Sequence, residues 1–193
     1  MSDVELNETI NGYRGSIGKL VFKKYKGRTI VGRKVKSSKP PTEAQVNHRA
    51  DFKAASDFAK TVKANPALLA FYAPIAKQRD VTVRVVAMGD YLNKPTIKPL
   101  DLSTYKGRIG DVIEIRAEDD LGLANVNVEI VAQDGTHIES SPAVEEGTGS
   151  SKWLYTVTKA VAIGTDVFIE VKGADHAGNE TQISENPTVG VEE

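Results

Sequence analysis

DVIEIRAEDDLGLANVNVEIVA, residues 111–132, is the stretch whose reading decides the fold. In 111–117, Ile113, Ile115 and Ala117 alternate with Val112, Glu114 and Arg116. In 125–132, Val126, Val128 and Ile130 take one face. A period of two is the mark of a strand with one buried side.

The same pattern extends towards the C-terminus. Asp134-Gly135 is a turn, and 153–158 and 166–173 read as further strands, with short ones over 136–139 and 180–184. About six strands separated by turns in about 90 residues indicate an antiparallel β-sandwich. Trp153, the single tryptophan, lies on one of these strands and is expected to be buried.

Upstream, Asn93-Lys94-Pro95 and Lys98-Pro99 mark a domain boundary. Before it the period changes. Val46, Ala50, Ala54, Phe58 and Val62 recur every fourth residue with Ala55 and Ala59 beside them, which predicts a helix over 43–63. Thr42 and Gln45 have capping-box spacing at its start. Asn65-Pro66 opens a second helix, which Pro74 is expected to kink or interrupt. Residues 81–92 are β-branched, but Val81, Val85, Met88 and Leu92 fit a helical face and Asp80 is a start signal, so a third helix is expected there.

Residues 12–41, GYRGSIGKLVFKKYKGRTIVGRKVKSSKPP, read as a basic β-hairpin. Its arms are 19–25 and 28–34, and Lys26-Gly27 is the turn. Leu20 and Phe22 alternate with Lys19, Val21 and Lys23, and Ile30 alternates with Thr29 and Val31. Because Val21, Tyr25 and Val31 make the second face apolar too, both faces are expected to be covered. The glycines at 12, 15 and 18 do not link a strand to a helix as a phosphate loop does, so they are read as places of close backbone approach. Residues 1–11 are polar and terminal, an extended or flexible tail.

Two resemblances follow. The run VFIEVKGADHAGN, residues 167–179, resembles the last strands of bacterial immunoglobulin-like domains, in which a strand enters an Asp-x-Ala-Gly-Asn turn. That likeness spans 100–187 and implies a fold, not a function. Gly12, Gly15 and Gly18, the Lys26-Gly27 turn, Arg33 and the helix start Pro41-Thr42-Glu43-Ala44-Gln45 are similar to an uncharacterised protein family of Bacteroidota and their phages. This second likeness spans 12–60, carries no activity, and implies a bacterial or phage context.

The net charge of −1 conceals two opposed halves. Residues 1–93 hold 17 Lys+Arg against 8 Asp+Glu, and residues 94–193 hold 8 against 18. A split of +9 and −10 calls for an external polyanion, for the acidic half of a neighbouring copy, or for attraction within one chain. No apolar run nears the roughly 20 residues that a membrane helix needs. The acidic, polar start MSDVELNETINGY is not a secretory signal, so synthesis and retention in the cytoplasm are expected unless another route, such as a virion, takes the chain out. Without cysteine there is no disulfide, thiolate nucleophile or Cys-ligated zinc.

Candidate chemistry is sparse. His48, His137 and His176 are scattered and lack metal-ligand spacing, so they read as surface residues. No nucleophile with a base and no paired acids in an apolar setting stand out, and no small-molecule substrate is evident, so no enzyme is expected. Glu118, Asp119, Asp120, Asp175 and Asn179 fall on loops that a sandwich can bring to one pole. They form an oxygen set of the kind calcium takes, and are equally the usual turn formers. Calcium apart, no cofactor is expected.

The reading is therefore an α+β protein: a flexible tail at 1–11, a basic hairpin arm with a small helical unit at 12–94, and an immunoglobulin-like antiparallel β-sandwich at 95–193. The expected role is a non-enzymatic structural subunit of a phage particle or bacterial filament, a homo-oligomer built from copies of itself. Leu20, Val21, Phe22, Tyr25, Ile30 and Val31 would supply the self-association surface. Lys19, Lys23, Lys24, Lys26, Arg28, Arg33, Lys34 and Lys36 would form the basic surface. The alternative is a nucleic-acid-binding accessory protein that uses the same basic ribbon.

Overall fold

The computed structural model describes residues 13–25, 27–34 and 40–190; the 1–11 tail, Gly12, Lys26 and Lys36 lie outside them. The chain forms two compact units, residues 1–46 and 47–193.

The first unit is a three-stranded antiparallel sheet, β1 (Gly15–Ile17), β2 (Leu20–Tyr25) and β3 (Arg28–Arg33), in that spatial order. The expected hairpin is β2–β3, and β1 is a strand the alternation did not reveal. Ile17 pairs with Leu20, so Gly18 and Lys19 make a tight turn. Gly18 has φ +56°, and a Cβ there would meet nothing within 4 Å. Backbone conformation therefore explains that glycine, not the close approach expected of it.

Helix α1 (Glu43–Ala64) opens on the expected capping box. The Thr42 N–H donates to Gln45 Oε1 at 3.2 Å, and the Gln45 N–H donates to Thr42 Oγ1 at 3.4 Å. In the second unit its buried stripe is Ala55, Ala59 and Val62, while Ala50 of the expected stripe is exposed. Helix α2 (Pro66–Gln78) is capped by Asn65, whose Oδ1 accepts from Ala67 and Leu68 N–H. Pro74 does not interrupt it. Pro74 removes one ladder bond, but it and Ala70 are exposed, so water can replace that bond.

Asp80 does not start the third helix; it closes the second. It has φ +50°, the Asp80 N–H donates to the Lys77 carbonyl, and the Val81 N–H donates to the Ala76 carbonyl. Those two bonds are a Schellman ending with aspartate at the left-handed position. Helix α3 (Val83–Leu92) then begins at Thr82, whose Oγ1 accepts from the Val85 N–H. Its inward row is Val86, Ala87 and Asp90, with Val83 half-buried, whereas Val81, Val85 and Leu92 of the expected face are exposed. Tyr72, Val62, Ala59 and Val86 form the centre of the helical core.

The remainder is a sandwich of two four-stranded antiparallel sheets. One runs β4 (Thr96–Ile97), β5 (Val112–Glu118), β9 (Lys152–Thr156), β8 (Val144–Glu145). The other runs β11 (Glu180–Glu185), β10 (Val167–Asp175), β6 (Leu123–Ala132), β7 (His137–Pro142). Lettered A to G in chain order with β7 as C′, these are A-B-E-D and G-F-C-C′, the immunoglobulin arrangement. The inward rows are those the alternation named: Ile113, Ile115 and Ala117 face Val126, Val128 and Ile130, with Ile169 and Val171 from β10. Each valine or isoleucine of these rows contributes about 1.5–3 kcal/mol on burial. Trp153 is 8% exposed, as expected, but it sits on the fifth strand of the lettering, not on the third as in antibody domains.

The 93–99 segment, read as a boundary, lies within the second unit. Thr96 and Ile97 pair with Glu118 and Ala117, and the Pro95 carbonyl accepts from Thr181 Oγ1 at 2.7 Å. No described helix is long and apolar enough to cross a membrane.

Candidate functional site

Two places carry chemistry: the N-terminal sheet, and the pole of the sandwich on which the helical core rests. In an antiparallel pair, residues directly opposite share a face. Pairing of Gly15, Phe22 and Val31, and of Ile17, Leu20 and Arg33, therefore defines one face of the N-terminal sheet. Val21 with Gly32, Lys23 with Ile30 and Tyr25 with Arg28 define the other. The six residues expected to mediate self-association thus divide, with Leu20, Phe22 and Val31 on one side and Val21, Tyr25 and Ile30 on the other.

Phe22 is 8% exposed and meets the Tyr13 ring edge-on, with centroids 5.2 Å apart. Leu20 is 43% exposed, Ile17 56% and Tyr25 62%. The described residues therefore leave both faces only partly covered. Lys19, Lys23, Lys24, Arg28, Arg33 and Lys34 are all exposed. Lys24 and Arg33 stand on the Phe22 side, and Lys23 and Arg28 on the Tyr25 side.

At the sandwich pole, the loops after β5 and β10 meet the end of α3. Asp175 is the last of the inward row of β10 and follows a register shift between Ala174 and Asp175. The Asn179 N–H donates to Asp175 Oδ1 and Asn179 Nδ2 to Asp175 Oδ2, both at 2.7 Å. The same amide nitrogen lies 3.2 Å from the Asp90 and Tyr91 carbonyls. It supplies donors that the last turn of a helix lacks. The Asp119 carboxylate accepts from the Leu121 N–H at 2.9 Å, and Leu121 packs on the helical core. Phe71 of α2 stacks on His176, centroids 3.9 Å apart, so His176 is half-buried and not the surface residue expected. Burial holds its imidazole below the ordinary value against the pull of Asp175 and Asp119.

Of the five residues expected to offer oxygens to calcium, Asp119 and Asp175 come together, and Asn179 buttresses Asp175. Glu118 pairs with Lys98 at 2.6 Å, and Asp120 pairs with Arg79 at 2.8 Å. The third carboxylate of the group is one the sequence reading missed, Asp90. Burial pushes its carboxyl up to about 6, against the hydrogen bond from Tyr72 and with help from the charges of Asp175, Asp119 and Asp120. Tyr72 donates its hydroxyl to Asp90 Oδ2, and burial with that bond pushes the phenol up. The available signal was position: Asp90 lies seven residues after Val83, on the row that α3 turns inward.

No protein-family model matches the chain, and no curated protein does. Among solved structures, it is similar to CopC from Methylosinus trichosporium OB3b, with a TM-score of 0.38 and 11% identity, over 49% of this chain and 92% of that one. A likeness of that size carries no functional argument.

Proposed function

We propose that this protein is a non-enzymatic structural subunit that associates with copies of itself through the basic N-terminal sheet, as a component of a phage particle or bacterial filament. The observation that carries the reading is the exposure of Ile17, Leu20 and Tyr25 on a sheet with three described strands. A sheet this small has little core of its own, and a partner surface would complete it. Charge selects a second copy as that partner. Residues 1–93 carry +9 and residues 94–193 carry −10, so a head-to-tail contact brings unlike charges together. The strand edges of the sheet also suit pairing with another chain.

Apolar contact supplies the affinity in this reading, since exposed ion pairs contribute about 0–1 kcal/mol each. Sedimentation at tens of micromolar tests it, about the range of weak specific contacts. Full-length protein is expected to assemble, and protein lacking 1–36 to be monomeric. Leu20→Asp tests the exposed face without disturbing buried Phe22 and is expected to abolish assembly, whereas Lys23→Ala weakens it slightly. A full-length monomer overturns the proposal. A second reading rests on the exposed run Lys19, Lys23, Lys24, Arg28, Arg33 and Lys34, which suits a phosphate backbone. A monomer that binds duplex DNA with steep salt dependence would establish it.

A further inference from the structure

Asp90 on α3, Asp119 just after β5, and Asp175 at the end of β10 each place a carboxylate oxygen within 4.8 Å of the other two. Asp90 is 2% exposed and Asp175 3%, and Asp119 is half-buried. Gathering three carboxylates out of water is costly unless a positive charge joins them. The last turn of α3 adds the negative end of a helix dipole. Among the described residues, the donors to these carboxylates are Tyr72, Asn179 and Leu121, all neutral groups.

A second observation is independent of the clustering. Asp90 Oδ1 is fully buried and has no hydrogen-bond partner among the described residues. A buried carboxylate oxygen without a donor is rare and unfavourable. Tyr72 satisfies only the other oxygen. A cation would answer both the orphaned oxygen and the uncompensated charge.

We propose that Asp90, Asp119 and Asp175 hold a hard divalent cation, calcium, where α3 meets the loops after β5 and β10. The donors are carboxylate oxygens only, without imidazole or thiolate, which selects a hard ion over a transition metal. Their spread does not exceed the span of two calcium–oxygen bonds of about 2.4 Å each. Calcium takes more oxygens than three, and water supplies the rest. Asp119 lines a cleft of ≈ 390 Å³ together with Gln78, Arg79 and Asp120, which gives ion and water a way in. Tyr72 and Asn179 are positioning residues: one orients Asp90, the other Asp175. The bound ion joins the helical core to two loops of the sandwich, a role separate from self-association through the N-terminal sheet.

The test uses full-length protein stripped with chelator and titrated with calcium chloride by calorimetry, with thermal unfolding followed through Trp153 fluorescence. One calcium per chain is expected. Unfolding should rise by about 5–10 °C at a hundredfold excess over Kd. Magnesium at equal concentration should give a smaller shift. Asp119→Asn should weaken calcium binding more than about tenfold while leaving the metal-free protein at least as stable, because a repulsion is removed. Tyr72→Phe should weaken binding by about 10-fold as an outer partner. No response of the wild type up to about 10 mM calcium, above the weakest protein sites, overturns the proposal. So does an undiminished response in Asp119→Asn. A metal-free gain in that variant without any calcium response in the wild type also overturns it, since a shared proton then suffices.

Discussion

Asn179 Nδ2 lies 3.2 Å from the carbonyl oxygen of Asp90, across 89 residues of chain. The same nitrogen reaches the Tyr91 carbonyl at 3.2 Å, the Asn93 carbonyl at 3.4 Å and Asp175 Oδ2 at 2.7 Å. One side-chain amide on the β10–β11 turn thereby serves the end of α3. The Asp-x-Ala-Gly-Asn turn of the sandwich is also the cap of a helix.

Asn179→Ala should remove these donors and leave part-buried carbonyls and a carboxylate oxygen short of partners. A loss of about 1–3 kcal/mol is expected. Urea unfolding monitored by Trp153 checks it, with the midpoint moving and the slope unchanged. A midpoint equal to wild type would mean that water takes over the amide's role.

The 93–99 segment carries β4 and a hydrogen bond to Thr181, so its prolines do not mark a slack linker. Limited proteolysis of the full chain should leave it intact, and the earliest resistant fragment should retain both the helices and the sandwich. Mass spectrometry of the fragments decides this. Early cleavage between 93 and 99, releasing a stable 95–193 piece, would restore the boundary read from the prolines.

The sandwich was legible because its strands obey the period of two with few exceptions: Ile113, Ile115, Val126, Val128 and Ile130 are all at 0% exposure. Capping at Thr42 and Asn65 was legible for the same local reason. What failed was local evidence that tertiary context overrode. Asp80 has the chemistry of an N-cap but is held in a left-handed turn. Val81 and Val85 look like core residues but stand outside, because α3 turns Val86, Ala87 and Asp90 inward. An aspartate on that inward row is the sign a pattern of apolar residues passes over. Strand β1 is three residues long and all exposed, so it leaves no alternation to read. The pole was half legible: Asp119 and Asn179 lie on loops and Asp175 ends β10, but only the fold brings Asp90 to them.

Asp80 gives a stabilising prediction. An L-residue at φ +50° carries a conformational cost, and a carboxylate at a helix C-terminus opposes the dipole. The side chain is exposed. Asp80→Gly should retain the Schellman bonds and remove both penalties, partly offset by the freedom glycine gains on unfolding. A net gain of about 0.5–1 kcal/mol is expected, seen as a higher urea midpoint. A loss would show that the Asp80 carboxylate makes a favourable contact in the folded protein.

Glu139 ties the two sheets together at the β7 edge, and its removal should be among the costly single changes. It is 4% exposed, although the strand around it is mostly polar, with Ile138 its one large apolar residue. Its Oε2 accepts from the Thr158 N–H at 3.0 Å and the Lys159 N–H at 3.1 Å, and Thr158 donates its hydroxyl to the same oxygen. Lys159 Nζ donates in return to the Ile138 carbonyl at 2.6 Å. Thr158 follows β9 of the opposite sheet, so the carboxylate holds the exit of that strand. Bonds to a charged acceptor are about twice as strong as neutral ones. Glu139→Ala strands the two N–H groups and the hydroxyl and should cost about 3 kcal/mol, whereas Glu139→Gln can turn its carbonyl oxygen to the same donors and should cost about 1 kcal/mol. Hydrogen exchange supplies the discriminating measurement. In Glu139→Ala the Thr158 and Lys159 amides should exchange faster than the strand interior, and in Glu139→Gln they should remain protected. Equal losses in both variants would mean that charge, not the geometry of acceptance, is what Glu139 contributes.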